Sequence, residues 1–233
     1  MILPRFLINP NFLIELVYLV VLMVSCLIVY FKTREIYKLT SHKGIKYFSM
    51  TFLAFAAAYF LRFFSKILFL GLILLGTRPP PREFLPLTTL LLLYSGFMAT
   101  FYLLYALSSK RLGKFLPETT DTLHVVAILL SSIILFLNIP IIFIGIILAL
   151  LLYLLFVGYS DYKKPKQKSL PQFYMVYFLL ILFSMFNIID ILIPDFFGII
   201  QVLIYLFSIS LFLFILYKVL KVLNVELNGK QKK

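Results

Sequence analysis

Runs of about twenty or more apolar residues follow one another along almost the whole chain, and a globular fold in water has no place for them. A bilayer core about 30 Å thick takes roughly 20 residues of helix. Six such runs are immediate: 11–31, 46–75, 86–108, 122–158, 172–193 and 196–220. Of the 233 residues, 63% are apolar and 13% charged, where a soluble domain carries about 45–50% and 25%. The pattern predicts an all-α, polytopic membrane protein. It excludes a cytosolic enzyme, a secreted disulfide scaffold and a disordered tail.

The run 122–158 is too long for one crossing, since a single helix would measure about 55 Å. Asn138-Ile139-Pro140 lies near its middle, and an Asn-x-Pro sequence favours a turn. Two helices, 122–138 and 140–158, bring the count to seven. Charge supports that count. With the N-terminus outside, the segments 32–46, 109–121 and 159–171 and the C-terminal end from Lys218 onward carry 17 Lys and Arg on the cytoplasmic side, against three (Arg5, Arg78, Arg82) outside. That is the asymmetry the positive-inside rule requires. A single span at 122–158 would send Lys163, Lys164, Lys166, Lys168 and the basic tail outside.

The expected organisation is an extracellular N-terminus (1–10), a seven-helix transmembrane domain (11–223) and a basic cytoplasmic tail (224–233), in a multi-pass protein of the cell membrane. No cleaved leader is expected, because Arg5 is a thin basic region and the apolar stretch after it is too long. The net charge of +13 then reflects topology and contact with the lipid bilayer rather than nucleic acid. Trp is absent, so Tyr30, Tyr47, Tyr105, Tyr159, Tyr162, Tyr174 and Tyr217 are expected to anchor the cytoplasmic interface.

Ionisable residues inside spans are costly and mark candidate sites. Counting helix rise from the predicted ends, Glu15, Arg62, Asn187 and Asp190 all fall in the outer third of the bilayer. Arg62 and Lys66 are four apart, and Asn187 and Asp190 three apart, so each pair shares a helix face. Two readings are open: an outward-facing polar pocket whose cations hold an anionic ligand group, or ion pairs that fix helix register. Lys66, nearest the outer surface, is expected to snorkel. His124 is expected to pack at the interface and His42 to be solvated.

No catalytic constellation is present. Cys26 is the one cysteine, so there is no intrachain disulfide and no Cys-x-x-Cys centre; it is expected as a small buried hydrophobe. Ser131 and Ser132 have no paired base by sequence, no His-Glu-x-x-His or Cys/His cluster exists, and no Gly-rich phosphate loop is found. The chain is expected to be no enzyme and to take no metal and no cofactor.

Seven helices with an outer N-terminus is the topology of rhodopsins and G-protein-coupled receptors, but the resemblance ends there. Phe196–Tyr217 has no lysine for a retinal Schiff base, and helix 3 ends in Ser108-Ser109-Lys110-Arg111. Pro171-Gln172 occurs once, where sugar transporters of the PQ-loop type carry such pairs in both repeats. The stretch Tyr30-Phe31-Lys32-Thr33-Arg34, then His42-Lys43-Gly44-Ile45-Lys46-Tyr47-Phe48 leading into a long second helix, resembles the seven-helix input modules that precede prokaryotic histidine kinases. It is also similar to small uncharacterised archaeal membrane proteins. The shared depth of the polar residues and the lack of a catalytic constellation point to a stand-alone sensor-like or accessory protein. Glu15, Arg62, Asn187 and Asp190 would form its ligand site, and an unknown protein partner would bind the basic cytoplasmic loops or the membrane-embedded surface. The alternatives are a small-solute transporter, which needs central polar groups and broken helices, and a structural subunit of a larger assembly.

Overall fold

The computed structural model describes residues 10–75, 84–112, 120–137, 139–162, 171–192 and 198–231. They form seven helices: α1 (Pro10–Thr40), α2 (Lys43–Leu74), α3 (Phe84–Leu112), α4 (Thr120–Leu137), α5 (Pro140–Tyr162), α6 (Pro171–Leu192) and α7 (Gly198–Gln231). In lipid every backbone N–H and C=O must be satisfied within the segment, which a helix achieves. Proline opens α1, α5 and α6, the position where its missing N–H sacrifices no intrahelical bond. The long run 122–158 is divided where Pro140 predicts; Asn138 lies outside the described residues.

Among the described residues, five helices are long and apolar enough to cross a membrane, with spans at Phe12–Thr40, Lys43–Leu72, Pro86–Leu107, Ile141–Ser160 and Ile199–Lys221. Shorter apolar stretches lie in α4 (Asp121–Leu137) and α6 (Phe178–Asn187).

The segment 32–46, expected as a basic loop, is almost wholly helical. Lys, Arg and Glu are good helix formers, and Lys32 Nζ pairs with Glu35 Oε2 at 3.2 Å within α1. The Thr33 and Thr40 hydroxyls donate to the carbonyls of Val29 and Ile36. Only Ser41 and His42 interrupt the helices. Ser41 adopts φ 51°, the left-handed conformation that ends helices, and its N–H donates to the Tyr37 carbonyl at 2.8 Å. His42 Nδ1 accepts from the Gly44 N–H at 3.2 Å. His42 is exposed, as expected, and also caps α2. The tail expected from residue 224 is likewise helical as far as Gln231.

Six helices close a ring in the order α1–α2–α3–α5–α6–α7, with α7 returning to α1; α4 packs outside it, against α3 and α5. Contacts between named residues fix the direction of five helices. Glu15 near the start of α1 meets Arg62 late in α2, and Tyr47 early in α2 meets Tyr105 late in α3. Leu107 late in α3 lies beside Gly158 late in α5, so those two run parallel. Tyr18 early in α1 stacks on Tyr205 early in α7, so the first and last helices start at the same end.

Phenylalanines fill the centre of the ring. Phe212 of α7 meets Phe183 of α6 at 4.9 Å between centroids and Phe52 of α2 at 6.1 Å, and Phe55 meets Phe183 at 6.1 Å. These are the edge-to-face arrangements that the ring quadrupole favours. Outward, α1 exposes Leu13, Val17, Val20, Val24, Ile28 and Phe31 while burying Tyr18, Leu19, Leu22, Cys26 and Val29. Both sets recur every three or four residues, as two faces of one helix do. An exposed apolar stripe of that length belongs against lipid chains. The molecule is a helical membrane protein.

Candidate functional site: a polar layer joining four helices

Glu15 and Tyr18 lie one turn apart on α1, and Tyr59, Arg62 and Lys66 lie at three- and four-residue spacing on α2, so each set projects from a single face. Because α1 and α2 run antiparallel, the two faces meet. Arg62 Nη2 donates to Glu15 Oε1 at 2.9 Å, and Lys66 Nζ donates to Glu15 Oε2. The Glu15 side chain is 10% exposed, against 27% for Arg62 and 29% for Lys66. The carboxylate is thus the desolvated member, with its two cations nearer the rim. Lys66 was expected to snorkel; it closes on Glu15 instead, with the Phe12 ring 6.0 Å from its Nζ. The geometric reason is its place one turn beyond Arg62, opposite the second carboxylate oxygen.

One turn further along α1, Asn187 of α6 enters. Tyr59 donates its hydroxyl to Asn187 Oδ1 at 2.8 Å and Tyr18 donates to the same oxygen at 3.4 Å, while Asn187 Nδ2 donates to the Phe183 carbonyl at 2.9 Å. The Tyr18 ring stacks on Tyr205 at 4.4 Å, and Gln201 Nε2 donates to the Tyr205 hydroxyl at 2.9 Å. Three neighbouring polar groups, the last two joined by the Tyr18–Tyr205 stack, thus form a polar layer across α1, α2, α6 and α7 near the ends where α1 and α7 begin. Of the four residues singled out by sequence, Glu15, Arg62 and Asn187 belong to this layer. Asp190 stands in α6, three residues beyond Asn187, with its side chain outside the described residues.

Sequence reasoning missed Tyr18, Tyr59, Gln201 and Tyr205. A usable signal was the spacing of Tyr18 from Glu15 and of Tyr59 from Arg62, three residues in each case. The tyrosines expected as interfacial anchors divide. Tyr159 and Tyr217 are exposed, whereas Tyr30, Tyr47 and Tyr105 are buried; Tyr47 and Tyr105 pack on one another across α2 and α3, and Tyr30 meets Phe31 and Arg34 of its own helix. Tyr162 and Tyr174 have side chains outside the described residues. His124 is half-buried and held by Tyr94 and Tyr102 of α3. Ser131 donates to the Ala127 carbonyl at 2.7 Å within its own helix, and Cys26 is buried. Among the described residues no group of three His, Cys, Asp or Glu side chains is placed to hold a metal ion.

Fold and layer together define a helical membrane protein with a polar junction built into its bundle. The chain is 31% identical over 183 residues to an uncharacterised protein of Archaeoglobus fulgidus, the match covering 75% of this chain and 77% of the relative. It belongs to the same family as that protein. No family model matches the chain, and no solved structure matches it.

Proposed function

We propose that the chain is a non-enzymatic, sensor-like or accessory protein of the cell membrane, with seven spans, the N-terminus outside and the C-terminus cytoplasmic. The parallel run of α3 and α5, which calls for one return crossing between them, supports the span count, as does the 17-to-3 division of Lys and Arg. At 18 and 22 residues, α4 and α6 would measure about 27 and 33 Å, enough for a thin and an ordinary hydrocarbon core. The reading agrees with the resemblance to the input modules of histidine kinases, whose output domain would here belong to another chain.

The observation that carries the proposal is one desolvated carboxylate, Glu15, gripping two cations of a neighbouring helix from a layer that reaches α6 and α7. An anionic group arriving from outside would compete with Glu15 for Arg62 and Lys66, loosening α1 from α2. Asn187 and Asp190 on α6 would complete the site. Helices α1 and α7, 31 and 34 residues long, exceed the roughly 20 residues a core needs. Their motion would therefore reach the basic cytoplasmic end, where a protein partner would read it.

The test is cross-linking in native membranes at low expression, mild solubilisation and mass spectrometry of what co-purifies, for the wild type, Arg62→Ala and Asp190→Ala. The expected result is a stoichiometric protein partner that both variants lose in part while remaining folded. Unchanged stability and unchanged partner recovery in both variants would sink the proposal. So would a chain recovered alone with a bound solute, in which case flux into proteoliposomes becomes the next assay.

A further inference from the structure

His124 is the titratable side chain at the α3–α4 contact that the polar layer does not use. Both of its ring nitrogens are engaged: the Tyr94 hydroxyl lies 2.6 Å from Nδ1 and the Tyr102 hydroxyl 3.2 Å from Nε2. Tyr94 and Tyr102 stand two turns apart on one face of α3, about 12 Å along the axis, and the imidazole bridges that interval. A neutral imidazole has one N–H donor and one acceptor. One phenol therefore donates to the ring and the other accepts from it, and both bonds are made at once.

Protonation changes this. Both nitrogens become donors, both phenol oxygens must accept, and the hydroxyl proton that had been donated to the ring loses its acceptor. Among the described residues neither hydroxyl has another hydrogen-bond partner, and an orphaned donor in an apolar setting is costly. Asp121, exposed at the start of the same helix, stands three residues before His124, within reach along the helix surface. An imidazolium gains a charge-assisted bond by turning to that carboxylate.

The surrounding groups are Tyr94, Tyr102 and Tyr105 on α3 and Asp121 on α4. Tyr47 of α2 stacks 6.2 Å from Tyr102, and His42, Lys43 and Lys46 lie at the start of α2, where Gly44 approaches Ala106 of α3. On α5, Tyr153 and Tyr159 are exposed. The helix so held is the one outside the ring, packed against α3 and α5.

We propose that Tyr94, His124 and Tyr102 form a protonation-operated latch that docks α4 on α3 when His124 is neutral and releases it when His124 is protonated and turns to Asp121. The device is independent of the α1–α2–α6–α7 layer.

The experiment uses the full chain with Cys26→Ala, spin-labelled at Leu91→Cys on α3 and Leu129→Cys on α4, in lipid nanodiscs. Interspin distances are measured by pulsed electron resonance at pH 8.5 and pH 5. A second distance population should grow at pH 5, be lost in His124→Gln and shrink in Asp121→Asn, whose exposed position leaves folding intact. Identical distributions at both pH values would overturn the latch. So would an acid population that persists undiminished in His124→Gln or in Asp121→Asn.

Discussion

Replacing Glu15 by Gln keeps the side chain's volume and one acceptor oxygen but withdraws the charge that Arg62 and Lys66 share. Removing one member of a fully buried ion pair costs about 3–5 kcal/mol. Both cations here retain more than a quarter of their exposure, so solvent screens part of the loss. A cost of about 2 kcal/mol follows, or roughly 25-fold in the unfolding constant. Lys66→Gln should cost less, about 0.5–1 kcal/mol, because Arg62 still holds the carboxylate and Lys66 is the more exposed partner. In a cycle of the two, the double variant should be less destabilised than the sum by about 1 kcal/mol, the coupling expected of groups in contact. Unfolding in mixed micelles, followed by far-ultraviolet circular dichroism, measures each. A Glu15→Gln variant within about 0.5 kcal/mol of wild type, together with additive single effects, would refute the claim that this carboxylate organises the layer.

Asn187→Leu removes the oxygen that accepts from the Tyr59 hydroxyl and, at longer range, from Tyr18, and should cost about 2 kcal/mol, against about 1 for Tyr59→Phe, in the same unfolding assay. Ser41→Gly removes a left-handed conformation from a residue with a Cβ and should stabilise by about 0.5–1 kcal/mol, read as a raised melting temperature. Cys26 of α1 is fully buried in the bundle; a membrane-permeant maleimide should label it in denaturing detergent and leave it largely unlabelled in the folded protein.

The helices were legible because each apolar run is long enough to declare itself, and Pro140 marks the break within the longest. Their ends were not legible. Charge reads as loop in a sequence, yet Lys32, Arg34, Glu35 and Lys38 continue α1 without strain, and only Ser41 and His42 interrupt it. That Glu15 and Arg62 lie level with one another followed from helix rise alone, since rigid rods of known pitch place their residues. What could not follow was the partner of each hydroxyl. A tyrosine in an apolar segment serves equally as an interfacial anchor or as an interior donor, and only the packing of α1 on α7 decides that Tyr18 stacks on Tyr205. His124 is similar: its two phenols come from another helix, so its own neighbours in the chain gave no sign of them.

The whole account depends on the polar layer and the basic ends lying on opposite sides of the membrane, which substituted-cysteine labelling tests directly. In a Cys26→Ala background, Arg78→Cys, Lys164→Cys and Lys230→Cys are each exposed in intact cells to an impermeant maleimide, with lysed cells as the control. Seven spans predict that position 78 is labelled from outside, and that positions 164 and 230 react only after lysis. Labelling of position 164 in intact cells would leave 122–158 as one crossing, place the basic end outside and contradict the proposed function.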